Sequence, residues 1–196
     1  MNKARFESFS DAVFAFAITL LILGIALPEF RHPPTDPELA RSLVTLWPRV
    51  LAYVLSFAVI GLMWQNHHAL FRLVRTVDRT TVFLNLALLA ATVFIPFATS
   101  VLGAYPGLRS AELLYGLTLF GTSTAYNLLL RHLVAARRFE SHVSDKTIHE
   151  TVVAYRIAWA TYTLAALASF VVPYLSFALY VLLVGYFLVP RGADRD

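Results

Sequence analysis

The sequence predicts an all-α integral membrane protein with six transmembrane helices, and three observations carry that prediction. Apolar residues make up 58% of the 196 and charged residues only 14%, against a soluble norm of about 25% charged. Mean hydropathy is +0.66, which places the chain in the membrane class before any residue is inspected. Two runs carry no formal charge: 29 residues from Thr80 to Leu108, and 34 from Ile157 to Pro190. No soluble domain is expected, because the charge-bearing loops are short. The chain has no cysteine, so disulfides, thiolate metal sites and cysteine nucleophiles are excluded.

The first span runs from Phe9 to Leu27 and ends at Pro28. Its N-terminal flank contains acids and no small-residue cleavage site follows, so it is expected to stay attached as a membrane span. A polar, Pro-rich loop follows from Glu29 to Leu46. The second span opens at Trp47-Pro48, where proline suits a first helical turn, and reaches Trp64. Arg72, Arg75, Asp78 and Arg79 mark the next connection. Gly103, Pro106 and Gly107 turn the chain after the third span, and a charged connection from Arg131 to Glu150 follows the fourth, with room for a short helix extension.

As one helix, the last charge-free run would be about 50 Å long, far beyond a hydrocarbon core of about 30 Å. Pro173 divides it into a hairpin around Val172–Ser176. The expected spans are therefore 9–27, 48–64, 80–102, 113–130, 154–172 and 175–189, in a single transmembrane domain over residues 1–196.

Six spans put both termini on one side. That side carries twelve Lys and Arg residues (Lys3, Arg5, Arg72, Arg75, Arg79, Arg131, Arg137, Arg138, Lys146, Arg156, Arg191 and Arg195), against Arg31, Arg41, Arg49 and Arg109 on the other. The excess makes the termini cytoplasmic. It also explains the pI near 9.6 as topology, so no nucleic-acid partner is expected.

The first helix carries the most chemistry. On a wheel of 100° per residue, Phe9, Phe16, Leu20, Leu23 and Leu27 fall near one line, with Thr19 flanking it. Asp11 lies on another face. The stripe has two readings: it packs against a neighbouring helix, or symmetry-related copies line a narrow hydrophobic pore that gates by constriction or dewetting.

Trp64-Gln65-Asn66-His67-His68 forms a second constellation at the cytoplasmic end of the second span. Trp64 and His68 are i, i+4 neighbours. Adjacent His67 and His68 point in different directions and do not chelate one metal together. A histidine hydrogen bond to Asp11 or Ser10 is one reading, since a buried carboxylate needs partners. Asn85 is polar at membrane depth and is expected to bond across helices; Pro96 should bend its helix. His132, His142 and His149 read as solvated loop residues. No nucleophile elbow, zinc-protease motif or phosphate loop occurs, so no enzyme activity or cofactor is expected. The carbonyl-ring filter motif of common potassium channels is also missing.

Taken together, Arg5-x-x-x-Phe9-Ser10-Asp11, Trp64-x-x-His67-His68, Asn85 and Pro96-Phe97 resemble the bacterial six-helix branch of the transmembrane protein 175 (lysosomal potassium channel) family, over essentially the whole chain. The resemblance implies a homotetramer in a prokaryotic plasma membrane, with a central pore lined by the first helix. It would conduct K+, and other monovalent cations, down their electrochemical gradient. It implies that Phe16, Leu20, Leu23 and Leu27 line and constrict the pore, and that Thr19 supplies the hydroxyl layer linked to potassium preference. Phe16 departs from the family's usual Ile or Leu; a ring plugs the pore more tightly or rotates aside. By the same analogy Arg5, Ser10 and Asp11 brace the helix against Trp64, Asn66, His67 or His68, with Phe9 part of the motif. The competing reading is a secondary or proton-coupled ion transporter, which would need broken helices and a polar site at the midplane. An intramembrane enzyme and a scaffold without transport activity complete the alternatives.

Overall fold

The long apolar runs are helical in the computed structural model, which describes residues 2–171 and 173–187. In chain order the helices are α1 (Lys3–Leu20), α2 (Asp36–Thr45), α3 (Trp47–Leu73), α4 (Arg79–Ala104), α5 (Arg109–Ala135), α6 (Asp145–Ala168) and α7 (Pro173–Phe187), with a 3-10 turn at Leu21–Gly24 continuing α1. Val172, in the expected hairpin, and Arg191 and Arg195, counted with the termini, lie outside the described residues.

Helix α1 begins on Asn2, whose side chain accepts from the Ala4 N–H at 2.9 Å. It ends sooner than its apolar run: helical structure stops at Gly24, so Leu27 lies beyond it rather than on a fifth turn. Residues 29–46, expected as loop, contain α2. Thr35 precedes it, and Glu38 reaches back to accept from the Thr35 N–H and hydroxyl, each at 2.8 Å. That is half of a capping box. Helix α3 opens on Trp47-Pro48 as expected, then runs nine residues past Trp64 to Leu73. Helix α4 stays helical through Pro96. Pro173 opens α7 instead of sitting in the turn, because its fixed φ suits a first helical position.

Three of the described helices are long and apolar enough to cross a membrane: Lys3–Gly24 with its 3-10 turn, Trp47–Leu73 and Arg79–Ala104. Hydroxyl side chains dilute the apolar character of α5. They remain compatible with burial, because Thr118, Thr122 and Thr124 each donate to the carbonyl four residues back, at 2.8–2.9 Å.

Among the described residues, helix α1 packs on α3 and α4, α5 joins α4 to α6, and α7 closes against α6, α3 and α5. The core runs through Phe14, Phe71, Ile60, Leu88, Tyr115 and Leu129, all fully buried. The α3–α4 crossing depends on Gly103. A Cβ there would lie 2.8 Å from the Arg49 Cα, and backbone cannot yield as a side chain can. Gly103→Ala is therefore expected to cost about 1–3 kcal/mol, read as a lowered thermal midpoint of the detergent-solubilised protein.

Sequence-distant connections are tied together at the other end. Val74 and Phe139 form an antiparallel bridge, with the Arg75 N–H donating to Arg138 O at 2.8 Å and Glu140 N–H to Leu73 O at 2.9 Å. Beside it Asp78 caps α4, accepting from the Thr81 N–H and hydroxyl at 2.8 and 2.7 Å. It also accepts from Arg138 at 2.7 Å and from His132 Nε2 at 3.1 Å. His132 is thus a partly buried member of the last turn of α5, not a solvated loop residue. A carboxylate only accepts, so His132 carries its proton on Nε2.

The Thr81 hydroxyl and backbone N–H, with His132 adding less, hold the Asp78 carboxyl well below the usual carboxylate range. A depressed folded-state value means that the stabilisation is present above the unfolded value of about 4 and is lost as the pH falls below it. Asp78→Asn should therefore lower the thermal midpoint at neutral pH. The gap to wild type should shrink on acidification below about pH 4.

Candidate functional site

Two faces of α1 divide its work. The inner face is Phe6, Ser10, Phe14, Ala17 and Leu21, all buried, at the i, i+4, i+8, i+11, i+15 spacing of one helical side. The other face is left uncovered by the described residues: Phe16 is 61% exposed, Leu23 72%, and Phe9 and Leu27 each 53%. Leu20 is partly buried and Thr19 exposed. Packing against a neighbouring helix of the same chain therefore does not account for the stripe, because α3 and α4 take the inner face.

The stripe also changes winding along its length. From Leu21 the chain follows a 3-10 turn, in which residues i and i+3 eclipse. Leu23 thereby comes closer to alignment over Leu20 than an α-helix would place it. Thr19 donates its hydroxyl proton to Phe16 O at 2.8 Å. No donor among the described residues meets its oxygen, which lies on the exposed side.

Behind the inner face lies a directed chain of hydrogen bonds. His67 Nε2–H donates to Asn85 Oδ1 at 2.8 Å, Asn85 Nδ2–H to Ser10 Oγ at 2.9 Å, and Ser10 O–H to Phe6 O at 3.0 Å. Each of the three side chains is at least 99% buried. The chain joins α3, α4 and α1 in turn, and each donor in it meets an acceptor. Phe71, Phe14 and Phe6 ring the imidazole, with centroids 4.6, 5.3 and 6.4 Å away. His67 and Ser10 are thus joined through Asn85, whose bonding across helices is expected from the sequence but whose partners are not.

A second, more exposed strut lies one turn along. Trp64 Nε1–H donates to Asp11 Oδ1 at 2.9 Å. His68 stacks on Trp64 at 6.1 Å between centroids, the i, i+4 pairing expected. Two motif residues stand apart from this network. Asn66 faces a cavity between α3, α5, α6 and α7 with Met63, Tyr126 and Tyr155, and its carbonyl accepts from the Tyr155 hydroxyl at 3.2 Å. One residue from His67, it points 100° away around α3. Arg5 is exposed and edges a recess with Phe9, Val82 and Leu86. In the first turn of α1, it reaches none of Trp64, Asn66, His67 or His68 through a hydrogen bond or ion pair.

Fold and site together define a multi-pass, all-helical membrane protein whose first helix presents an apolar face that the described residues do not cover. It is 36% identical over 196 residues to a potassium channel of Chamaesiphon minutus, covering 98% of this chain and 96% of that protein. The chain belongs to the TMEM175 family. The family model described as endosomal/lysosomal potassium channel TMEM175 matches residues 5–96. A potassium channel of Streptomyces collinus is 37% identical over 195 residues, 95% of this chain and 92% of that one. The human endosomal/lysosomal proton channel TMEM175 is 39% identical over 110 residues, 54% of this chain and 22% of the human one. Among solved structures, a lysosomal potassium-selective channel TMEM175 homolog from Chamaesiphon minutus superposes with a TM-score of 0.84 at 34% identity, over 95% of this chain and 96% of that chain.

Proposed function

We propose that the chain is a potassium-permeable cation channel of a prokaryotic plasma membrane. It spans the membrane six times, with both termini cytoplasmic, and assembles as a homotetramer around a pore lined by α1. The observation that carries this reading is the uncovered face of α1: an apolar stripe of Phe16, Leu20 and Leu23, flanked by Thr19, on a helix whose opposite side is fully engaged. The potassium-channel names of the Chamaesiphon and Streptomyces relatives support it.

Cations move down their electrochemical gradient. The Thr19 oxygen, with its proton given to Phe16 O, is an acceptor that replaces part of an ion's hydration. Phe16, Leu20 and Leu23, with Leu27 beyond the helical end, narrow the path and exclude water. Selectivity on this design is modest, because one hydroxyl layer offers fewer ligands than a multi-site carbonyl filter. Ser10, Asp11, Trp64, His67 and His68 act as the brace that sets the rotation of α1, and touch no ion. The human relative is named a proton channel, which favours passive permeation over coupled transport and adds protons to the ions to be tested.

Flux in proteoliposomes tests the proposal, with K+ against Na+ for wild type, Thr19→Ala and Leu23→Ala. Channel-like K+ flux is expected, with selectivity reduced in Thr19→Ala and flux raised in Leu23→Ala. Saturating flux stoichiometrically coupled to protons would overturn the channel reading. Selectivity indifferent to changes at all of Phe16, Thr19, Leu20 and Leu23 would overturn the pore assignment, and a monomer in membranes the tetramer.

A further inference from the structure

Among the described residues, helix α2 is the helix with no buried residue, yet it is strongly two-sided. At 100° per residue, Leu39, Ala40, Leu43, Val44 and the following Leu46 and Trp47 fill one arc, while Glu38, Arg41, Ser42 and Thr45 fill the other. The apolar arc is largely turned away from the protein: Val44 is 73% exposed, Trp47 64% and Leu43 53%. A helix of ten residues, about 15 Å long, is too short to cross a bilayer. It is joined through Leu46 to α3, one of the helices able to cross a membrane, so it is held at the membrane boundary. On the same wheel the exposed Val50, Leu51 and Val54 of α3 extend the arc beyond the buried Leu46.

We propose that α2 is a lipid-binding element. It lies in the non-cytoplasmic membrane–water interface with Leu43, Val44 and Trp47 among the upper acyl chains and Glu38, Arg41 and Thr45 toward water. Three properties favour lipid as the occupant. The arc is apolar and continuous with a membrane-spanning surface, the opposite arc is polar and charged, and the junction is a tryptophan, whose ring and N–H suit the headgroup level. Arg41 has an aliphatic stem long enough to rest along the boundary while its guanidinium meets headgroup phosphates.

The anchorage has a mechanical consequence. One turn into α3, Arg49 donates to Ala26 O at 2.8 Å, in the segment between Leu23 and Leu27. Lipid contact at α2 therefore bears on the segment that follows the α1 stripe. The inference rests on the membrane reading above, and not on which ion is carried.

The cysteine-free sequence permits the test directly. Single-cysteine variants Glu38→Cys, Arg41→Cys, Leu43→Cys and Val44→Cys, with Leu164→Cys on the exposed side of α6 as a membrane control, are nitroxide-labelled. Each is reconstituted in vesicles of phosphatidylcholine and phosphatidylglycerol. None of these side chains is part of the core; Glu38→Cys gives up its two bonds to Thr35 at the start of α2, and a common elution volume verifies that each variant is folded. The ratio of oxygen to water-soluble nickel-chelate accessibility is expected to be several-fold higher at positions 43 and 44 than at 38 and 41. Water-like ratios at 43 and 44, with a lipid-like ratio at 164, would overturn the proposal while leaving the membrane reading intact. So would low access to both quenchers with dipolar broadening between labels, which would put a second copy of the chain on this face. Water-like ratios at 164 as well would overturn the membrane reading itself.

Discussion

Phe16→Ala is expected to raise K+ flux in proteoliposomes by about tenfold, the effect of lowering a barrier by about 1.4 kcal/mol. Phe16 is 61% exposed on the face of α1 that its own chain leaves uncovered, so trimming the ring removes little intramolecular packing. On the proposed arrangement of α1 around a pore, each substitution removes one ring per subunit from the constriction, lowering the cost of hydrating it. Phe16→Leu should fall between the two. Phe14 is the internal control, two residues away on the same helix and fully buried against His67 at 5.3 Å. Phe14→Ala should cost about 3–5 kcal/mol of stability and bring no gain in flux per folded channel. The two phenylalanines are the same residue with opposite duties, decided by 200° of rotation about one axis. Flux unchanged in Phe16→Ala, or raised in Phe14→Ala, would place the conduction path elsewhere.

The stripe on α1 is legible in the sequence because it depends on periodicity alone, whereas which side of the helix the chain buries is not. Phe9, Phe16 and Leu23 recur every seven residues, and such a repeat holds its side for several turns whatever the helix packs against. Leu27 exposes the limit of that reasoning. It lies on the same line only if 100° per residue persists, and helical structure has ended at Gly24. Local winding near a glycine is set by contacts such as that of Gly24 with Ser100, where an added Cβ would lie 3.2 Å from the Ser100 Cβ. Those contacts are not encoded in the periodicity of residues 9–23.

Helix α2 was missed for a different reason. Its prolines suggested loop, although Thr35-x-x-Glu38 was already a capping signal. The partners of Asp78 and Ser10 were beyond local inspection. His132 is 54 residues from Asp78 and Asn85 is 75 from Ser10, distances that only the helix packing brings together. Arg5 shows the converse. Its proximity in sequence to Ser10 and Asp11 suggested a shared role, and the structure leaves it outside their network.

Asn85→Leu should be the most damaging change in the brace. Leucine fills a similar volume but leaves the His67 N–H and the Ser10 oxygen without the bonds now made at 2.8 and 2.9 Å. Both groups are buried away from water, so each carries a desolvation cost of about 1–3 kcal/mol. The expected loss of stability is about 3 kcal/mol, measured as a fall in the thermal midpoint and in the yield of intact assembly. Ser10→Ala should cost less, because the Ser10 hydroxyl also bonds within α1, to Phe6 O at 3.0 Å, and only the Asn85 N–H loses an acceptor between helices. The double variant should be less destabilised than the sum of the two, since its members share one bond. Trp64→Phe removes a bond between partly exposed groups, where water can replace the lost donor, and should cost least of the three. Additive effects of Ser10→Ala and Asn85→Leu would show that the two residues act independently, and the hydrogen-bonded chain would then not be the element that fixes the rotation of α1. Coupled effects, with flux per folded channel falling alongside stability, would tie the orientation of the Phe16–Leu23 face to a polar chain that never meets the ion.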